Sequence, residues 1–310
     1  MKKIVVLDAQ TLGNDLDLGV LNDFGETEIY DNTQPHETAE RIRNADIVIS
    51  NKVVLDRETI MLAPKLKLIC IAATGMNNVD LDAAAGMGIA VKNVSGYSTS
   101  SVVQHTFALL FSLMEQIGYY DKYVKKGVWS ESGVFTHLGH PFFELEAKSW
   151  GIIGLGNIGL KVAETASAFG ALPCYFSASG NTHNANYKHM ELEEMMSTCD
   201  IVSIHSPLND YTKDLIGSNE LKLMKDRAIL LNLGRGGIVD ESALAKELDK
   251  REIYAGLDVC SKEPLPKDSP LLSLKYPQRV IITPHIAWTS IESRKRLLDG
   301  IVKNIEEFTE

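Results

Sequence analysis

A glycine-rich stretch near the middle of the chain constrains the fold more than any other segment. Apolar residues from Trp150 to Ile153 predict a short buried strand. Three glycines follow it at the G-x-G-x-x-G spacing: Gly154, Gly156 and Gly159. The apolar spacing from Asn157 to Phe169 then predicts a helix. In such a unit the glycines allow a tight turn, the approach of a pyrophosphate and close helix packing, so the stretch predicts a dinucleotide site.

The next predicted strand, Cys174–Phe176, lacks the acidic residue that usually ends such a strand. In dinucleotide folds this carboxylate binds the ribose 2′-hydroxyl of NAD, and it is expected near Ser177. No Asp or Glu occurs between Ser177 and Lys188. A 2′-phosphate would not be repelled here, and the hydroxyls of Ser177, Ser179 and Thr182 could contact it, although no Arg lies nearby. We therefore expect NAD(P)H as the cofactor, with the choice between NAD and NADP open and a lean toward NADP.

Charge and apolar patterning exclude several classes of function. The 310 residues carry a formal net charge of −10 without a Lys/Arg-rich block, which argues against a nucleic-acid partner. No apolar run approaches the ~20 residues that span a bilayer. The four cysteines lack C-x-x-C spacing and lie mostly in apolar runs, which predicts buried thiols in a reducing cytoplasm. These are Cys70, Cys174, Cys199 and Cys260.

The first third of the chain alternates short apolar runs with helical segments. This rhythm predicts a doubly wound α/β domain with a parallel sheet. The predicted helices lie near residues 36–44, 56–62 and 81–86. The predicted strands are Ile4–Leu7, Ile47–Ile49, Leu68–Ala72 and Ile89–Val91.

The rest of the chain predicts a connector followed by a second doubly wound sheet. A broad apolar face predicts one long helix from Ser98 to about Lys126, and residues 127–148 predict irregular surface, suited to a subunit contact. Six strands are expected from Trp150 onward, the number of a full dinucleotide-binding domain. A last helix, Ile291–Phe308, is expected to pack on the first domain. The later strands are Ile201–Ile204, Ile229–Leu233, Tyr254–Val259 and Val280–Thr283.

Polar residues follow the last three predicted strands, where a doubly wound sheet binds its ligands. Arg235 offers two N–H donors that fit a carboxylate and polarise a ketone oxygen. His285 carries an imidazole, a group that titrates near neutrality and donates a proton as hydride arrives. Glu263 could orient that imidazole and stabilise its charged form. This set suits the reduction of a 2-keto acid.

Four ordered motifs carry a family resemblance that extends over essentially the whole chain. Together they resemble the D-isomer-specific 2-hydroxyacid dehydrogenases. The resemblance implies Arg235, Glu263 and His285 as the catalytic set, and Asp258 as the residue that holds the nicotinamide carboxamide. The motifs are Gly154–Gly159, Asn232–Glu241, Ala255–Pro264 and Thr283–Trp288.

Within this family, residues 93–107 and Trp288 resemble glycerate dehydrogenases, also called hydroxypyruvate reductases. The implied reaction is reduction of hydroxypyruvate and glyoxylate to D-glycerate and glycolate. Two alternatives stay open. One is a dehydrogenase of the same fold for another D-2-hydroxyacid, of the lactate type. The other is a non-catalytic, NAD(H)-sensing corepressor-like protein.

The resemblance also implies a domain organisation and further binding residues. Residues 1–97 with 288–310 would form a flavodoxin-like substrate domain, and residues 98–287 a Rossmann domain that binds NAD(P). A homodimer is implied, and a metal site is not expected, since His137 and His140 have no nearby Cys or carboxylate ligand. The implied cofactor residues, besides the glycines, are Asn157, Ile158, Ser177, Ser206, Pro207, Leu233, Gly234 and Asp258. The implied substrate residues are Asn51, Lys52, Thr74, Gly75 and Trp288.

Overall fold

Two parallel sheets, one in each of two structural units, organise the chain. The computed structural model describes residues 1–180 and 186–309. By its internal contacts the chain divides into two compact units. One consists of Met1–Ser98 and Trp288–Glu310, and the other of Thr99–Ala287. We call these the first and the second unit. Both are α/β units with doubly wound parallel sheets, which confirms the predicted fold class.

The first unit contains a five-stranded parallel sheet. Its strands are in the order β2-β1-β3-β4-β5, which is the flavodoxin-like arrangement. The central strands are fully buried runs of Ile, Val, Leu and Cys, as expected for parallel strands covered on both faces. The elements are β1 (Lys3–Val6), β2 (Glu26–Ile29), α1 (Pro35–Ile42), β3 (Ile47–Ser50), α2 (Arg57–Met61), β4 (Leu68–Ile71), α3 (Leu81–Gly86) and β5 (Ala90–Asn93).

Strand β2 was not predicted from the sequence. It has the sequence Glu-Thr-Glu-Ile and lies at the edge of the sheet, paired only with β1. An edge strand is partly exposed and needs no apolar run, so its sequence shows no pattern that predicts a buried strand. Two short 3₁₀ helices, Ala9–Leu12 and Leu18–Asp23, fill the connection from β1.

The second unit contains a seven-stranded parallel sheet with the order β12-β11-β10-β9-β6-β7-β8. The sequence predicted six of these strands. The seventh, β8, has only two residues, both polar, and shows no apolar pattern. The elements are α4 (Thr99–Glu115), α5 (Ile117–Lys125), α6 (Val128–Glu131), β6 (Ser149–Ile153), α7 (Asn157–Ala168), β7 (Leu172–Phe176), β8 (Lys188–His189), α8 (Leu192–Thr198), β9 (Ile201–Ile204), α9 (Ser218–Leu223), β10 (Ile229–Asn232), α10 (Glu241–Lys250), β11 (Tyr254–Leu257) and β12 (Val280–Ile282).

The strand order reverses between β6 and β9, which are neighbours in the sheet. Such a switch point opens a crevice beyond the carboxyl ends of the strands, where doubly wound proteins bind their ligands. The glycine turn after β6 lies on one side of this point. The ends of β9, β10, β11 and β12 lie on the other.

The predicted long connector helix is wrong in one respect, because it is interrupted. Gln116 separates α4 from α5 and adopts φ +53°, a left-handed conformation that ends a helix. The apolar spacing in the sequence continues to Ile117, so periodicity alone could not reveal the break, although no residue of α5 is buried. The segment 127–148, predicted as irregular, contains the four-residue helix α6 and otherwise has no helix or strand.

The last helix, α11 (Ile291–Thr309), belongs to the first unit. Leu297, Ile301 and Ile305 are buried on one face of it, at helical spacing. They share a core with Ile4 and Leu68 of the sheet. The predicted packing of this helix on the first part of the chain is confirmed.

Two further observations concern the cysteines and membrane insertion. All four cysteines are buried, free thiols, as the sequence predicted. The Sγ atoms of Cys174 and Cys199 lie 3.6 Å apart. In the described residues, no helix combines the length and apolar character that crossing a bilayer requires.

Candidate active site

The glycine turn after β6 has the geometry that a dinucleotide needs. Gly154 adopts φ +91°, and a Cβ there would collide with Oγ of Ser206. A Cβ at Gly159 would collide with the carbonyl oxygen of Gly154, so α7 lies directly against the turn. A Cβ at Gly156 would meet nothing within 4 Å, and Gly156 caps α7 without a side-chain hydrogen bond. The turn thus presents the N-terminus of α7, including Asn157 and Ile158, to open space, and it fits a pyrophosphate.

Ser177 follows β7 directly, at the position where the ribose of a bound dinucleotide is expected. Its hydroxyl lies 3.3 Å from that of Ser179, and Ser177 is half-buried. Thr182, the third predicted hydroxyl, lies outside the described residues. The described part of this turn therefore offers hydroxyls and no carboxylate.

The carboxyl ends of β9 and β10 carry four of the predicted cofactor residues. Ser206 is buried and donates its hydroxyl to the carbonyl oxygen of Ile153 at 3.1 Å, which ties the end of β9 to the end of β6. Pro207 follows it and is exposed. Leu233 is buried after β10, and Gly234 comes next. These residues lie along the switch point.

The turn that carries Arg235 is fixed by the side chain of Asn232, the last residue of β10. Asn232 donates from Nδ2 to the carbonyl oxygen of Arg235 at 3.0 Å and accepts the N–H of Gly234 at 3.1 Å. A side chain at Gly236 would collide with the carbonyl oxygen of Cys260. The half-buried guanidinium of Arg235 donates to the carbonyl oxygen of Gly234 at 2.9 Å. Its remaining N–H donors are suited to an anion.

Glu263 and His285 form a hydrogen-bonded pair. Nδ1 of His285 lies 2.7 Å from Oε2 of Glu263, and Oε1 of Glu263 accepts the N–H of Cys260 at 3.0 Å. A carboxylate only accepts hydrogen bonds, so Nδ1 carries the hydrogen and Nε2 is the nitrogen that exchanges a proton with a ligand. The side chain of His285 is 21% exposed and that of Glu263 is 37% exposed, so the pair is open to a small molecule.

Asp258 holds the segment that carries His285. It is 1% exposed, and its carboxylate accepts the hydroxyl of Thr283 at 2.6 Å and the N–H groups of Ile286 and Ala287, both at 2.9 Å. Its carbonyl oxygen accepts the N–H of His285 at 2.9 Å. The predicted contact of Asp258 with a nicotinamide carboxamide stays a prediction. The carboxylate already accepts three hydrogen bonds that fix the segment after β12.

Two residues at the carboxyl edge of the second sheet, His105 and Thr283, have structural roles that were not predicted from the sequence. Nε2 of His105, on α4, lies 3.0 Å from the hydroxyl of Thr283, which in turn bonds Asp258. Thr283 is the first residue after β12 and lies two residues before His285. His105 could not have been found from its helix alone, because its partners come from a distant strand.

His205, which follows β9, has a buried imidazole. The residue as a whole is partly exposed, but neither ring nitrogen has a hydrogen-bond partner in the described part of the chain. Burial lowers the pKa of His205 to about 3. The imidazole is therefore neutral in the folded protein at any ordinary pH.

This neutral imidazole predicts an acid-sensitive stability. In the unfolded chain a histidine binds a proton below a pKa of about 6.5, so between about pH 6.5 and about pH 3 the unfolded state binds more protons. The free energy of unfolding should fall as the pH is lowered through this window, by up to about 1.4 kcal/mol per unit from His205 alone. His205→Gln should reduce that slope in denaturant titrations at pH 7 and pH 5, and the exposed His36→Gln should not. Equal slopes for His205→Gln and wild type would contradict the assignment.

In the first unit, the predicted substrate residues lie at the ends of two neighbouring strands. Asn51 and Lys52 follow β3, and Thr74 and Gly75 lie shortly after β4. Asn51 is buried, whereas Lys52 and Thr74 are exposed. Thr74 donates its hydroxyl to the carbonyl oxygen of Val94 at 3.2 Å, which fixes this loop. The structure thus brings four of the five predicted residues to one edge of the first sheet.

Trp288 is the fifth predicted substrate residue. It is half-buried against the core of the first unit, and its ring meets that of Tyr97 edge to face at 6.2 Å between centroids. Much of its surface therefore stabilises the unit itself. Any contact with a substrate would use the remaining exposed part of the ring.

The histidines His137 and His140 lie among tyrosines. His137 stacks on Tyr123 with 3.9 Å between ring centroids, and its Nε2 lies 2.8 Å from the hydroxyl of Tyr119. In residues 1–180 and 186–309, no group of three or more His, Cys, Asp or Glu has an arrangement that could hold a metal ion. Both imidazoles thus contribute to an aromatic cluster on the second unit.

Comparisons with known proteins agree with this geometry. Residues 107–287 match the model of the D-isomer specific 2-hydroxyacid dehydrogenase NAD binding domain. A hydroxypyruvate reductase of Blautia hydrogenotrophica is 39% identical, over 99% of this chain and 96% of the relative. A glycerate dehydrogenase of Methylorubrum extorquens is 37% identical, over 99% of this chain and 96% of the relative. The crystal structure of an NADPH-dependent glyoxylate/hydroxypyruvate reductase from Sinorhizobium meliloti superimposes with a TM-score of 0.83 at 25% identity, covering 100% of this chain and 94% of that one.

Proposed function

The chain belongs to the D-isomer specific 2-hydroxyacid dehydrogenase family, and from this premise we propose that it reduces hydroxypyruvate and glyoxylate, yielding D-glycerate and glycolate. It is an oxidoreductase with a nicotinamide dinucleotide as its cofactor. The finer assignment, a reductase of the glycerate dehydrogenase type, is our proposal. The names of the bacterial relatives support it.

One observation carries the proposal. The 2.7 Å contact between His285 and Glu263 lies at the carboxyl edge of the same sheet that holds the glycine turn and Arg235. Keto-acid reduction needs an oriented imidazole as proton donor, a guanidinium that binds the carboxylate, and a site for the dinucleotide. The second unit supplies all three.

We assign the chemical roles as follows. When bound, the reduced nicotinamide supplies a hydride to the keto carbon. Arg235 binds the substrate carboxylate and polarises the ketone oxygen, which stabilises the charge that develops there. His285 donates the proton on Nε2 to that oxygen, and Glu263 stabilises the imidazolium beforehand and holds its orientation. Asp258 is assigned to the nicotinamide carboxamide.

We assign further substrate contacts to residues 1–97 with 288–310, which lie in the first unit, and cofactor binding to residues 98–287. Backbone N–H groups of Thr74 and Gly75 would receive the substrate carboxylate. Lys52 brings a cation to the same sheet edge, which favours an anionic substrate. Asn51 and Trp288 complete the assigned set.

The proposal is tested by steady-state oxidation of NADH and NADPH against a panel of 2-keto acids. Hydroxypyruvate should give the highest kcat/KM, with glyoxylate next. A preference for pyruvate would identify a lactate-type dehydrogenase instead. No oxidation with any acid, together with tight binding of the dinucleotide, would identify a cofactor-sensing binding protein.

For the cofactor, we propose a preference for NADP(H). Among the described residues directly after β7, 177–180 and 186–190, there is no carboxylate to repel a 2′-phosphate, and Ser177 and Ser179 offer hydroxyls to it. The NADPH dependence of the Sinorhizobium meliloti reductase supports the same choice. The ratio of kcat/KM for NADPH to that for NADH should exceed one, and a ratio below one contradicts the preference.

Replacing Glu263 by glutamine tests the His285–Glu263 pair. The amide keeps the size of the side chain but removes the charge that favours the protonated imidazole. We expect kcat/KM for hydroxypyruvate at neutral pH to be lower than in wild type, because the imidazole loses the charged partner that orients it. Glu193→Gln, a change at an exposed helix position, serves as the control. A kcat/KM equal to that of wild type would remove Glu263 from the pair.

We propose that the protein forms a homodimer through residues 117–142 of the second unit. This segment exposes several large apolar side chains, a patch typical of protein contacts. Sedimentation should give twice the 34.2 kDa mass of the chain, and a single-chain mass would refute the proposal. The exposed residues include Ile117, Val134, Phe135, Leu138 and Phe142.

We also propose that the protein acts in the cytoplasm. Its four cysteines are buried and lack C-x-x-C spacing, and no disulfide joins Cys174 and Cys199, whose sulfur atoms lie 3.6 Å apart. Such thiols persist in a reducing compartment. Fractionation of cells that express the tagged protein would test this location.

A further inference from the structure

A buried carboxylate that the assigned chemistry does not use lies beneath the loop of Asn51 and Lys52. Asp8 lies just beyond the carboxyl end of β1 and is 5% exposed. Its carboxylate accepts three successive backbone N–H groups, from Asn51 at 2.9 Å, Lys52 at 2.6 Å and Val53 at 3.3 Å. Strands β1 and β3 are neighbours, so the two strand ends meet at one edge of the sheet.

A carboxylate suits this position because it only accepts hydrogen bonds and has about four sites to do so. Burial raises the pKa of the Asp8 carboxyl, while the three N–H donors and the nearby charge of Lys52 act in the opposite direction. If the acceptor were removed, the inward N–H groups would be left buried without a partner, which is unfavourable. The loop conformation therefore depends on Asp8.

The same turn also aligns the side chain of Asn51. The hydroxyl of Thr11 donates to the carbonyl oxygen of Asp8 at 2.8 Å and accepts a hydrogen bond from Nδ2 of Asn51 at 3.0 Å. Backbone and side chain of the loop are thus held from one turn of the chain. Since the N–H groups of residues 51–53 point at Asp8, this loop can offer hydrogen-bond donors to a ligand only from its side chains.

We propose that Asp8 is a positioning residue for keto-acid binding: its carboxylate fixes residues 51–53 so that the exposed Lys52 is presented to the substrate beside the buried Asn51. This inference rests on the proposed function. Asp8 touches no reacting atom and acts only through the loop. Its loss should therefore weaken binding of the keto acid and leave the cofactor and the proton transfer nearly unaffected.

Asp8→Asn tests the role, because the amide keeps the shape and turns one acceptor into a donor that faces N–H groups. In the full-length protein, amide hydrogen exchange of residues 51–53 should accelerate about tenfold or more, since the opening of this loop no longer breaks the carboxylate contacts. The KM for hydroxypyruvate should rise about tenfold, while kcat and the KM for the dinucleotide change less than about twofold.

Asp46→Asn is the matched control. The Asp46 carboxylate accepts the N–H of Lys3 at 2.8 Å, at the opposite end of the same strand pair. This variant should change stability without changing the KM for the keto acid. If Asp8→Asn does not fold, the exposed Thr11→Val decides in its place, with the same expected rise in KM.

The outcomes separate the two proposals. Unchanged exchange at residues 51–53, or faster exchange with an unchanged KM, refutes the positioning role in an active enzyme. An equal rise in KM in Asp46→Asn refutes it too, because the effect would then be one of general stability. Absence of keto-acid turnover in the wild-type protein refutes the proposed function, and the positioning role with it, before any variant is compared.

Discussion

His285→Gln should lower kcat with hydroxypyruvate by about 100-fold to 10,000-fold, the range that a positioned general acid contributes. Glutamine retains a hydrogen-bond donor for Glu263 but has no group that gives up a proton near neutrality. The pair distance of 2.7 Å shows that the imidazole is already oriented, so the loss falls on proton transfer and not on binding. Single-turnover and steady-state assays with saturating dinucleotide measure the change.

The control for this experiment is His36→Gln, an exposed histidine of the first unit. It should reduce hydroxypyruvate at the wild-type rate. Dinucleotide affinity, measured by fluorescence titration, should be the same in wild type and His285→Gln. A kcat within a few-fold of wild type in His285→Gln would assign the proton donor to another group.

Arg235→Lys and Arg235→Ala should both reduce kcat/KM severely, by about 100-fold or more, because a carboxylate and a ketone oxygen are recognised together by a planar fork. Lysine keeps the charge but offers a single ammonium, so it should recover only part of the loss in Arg235→Ala. The carbonyl oxygen of Gly234 already accepts one N–H of Arg235, which fixes the direction of the guanidinium.

For Arg235 the informative readout is the division of the loss between KM and kcat. A residue that binds the carboxylate raises KM, and one that also stabilises the developing oxyanion lowers kcat. We expect both to change. The exposed Arg43→Ala should change neither. Turnover within a few-fold of wild type in Arg235→Ala would show that the assignment of Arg235 is wrong.

The fold could be predicted from the sequence wherever burial imposes a pattern. The central strands of both sheets are continuous apolar runs, such as Leu68–Ile71, because both of their faces are covered. Where burial imposes no pattern, prediction failed. Strand β2 lies at an edge, and three of its four residues are polar. The break at Gln116 is a single backbone angle within a sequence whose apolar spacing continues to Ile117.

The candidate site divides along the same line. Arg235 and His285 were predicted because each follows a recognisable strand and has a characteristic chemistry, and Glu263 was predicted only from its combination with them. Asp8 and His105 were not, because their significance depends on which strand or helix lies beside them. Asp8 becomes meaningful only once β1 and β3 are known to be neighbours. Sheet order is a tertiary property, and no local pattern encodes it.

The backbone of His285 has a consequence for how this protein could be stabilised. His285 adopts φ +56°, a region that glycine occupies without strain and that histidine occupies at a free-energy cost. Selection for stability would therefore favour His285→Gly. This variant would relieve the backbone strain at residue 285 but would lack the assigned proton donor. Resistance to heat and speed of turnover thus make opposite demands on a single residue. A search for thermostable variants should hold this position fixed.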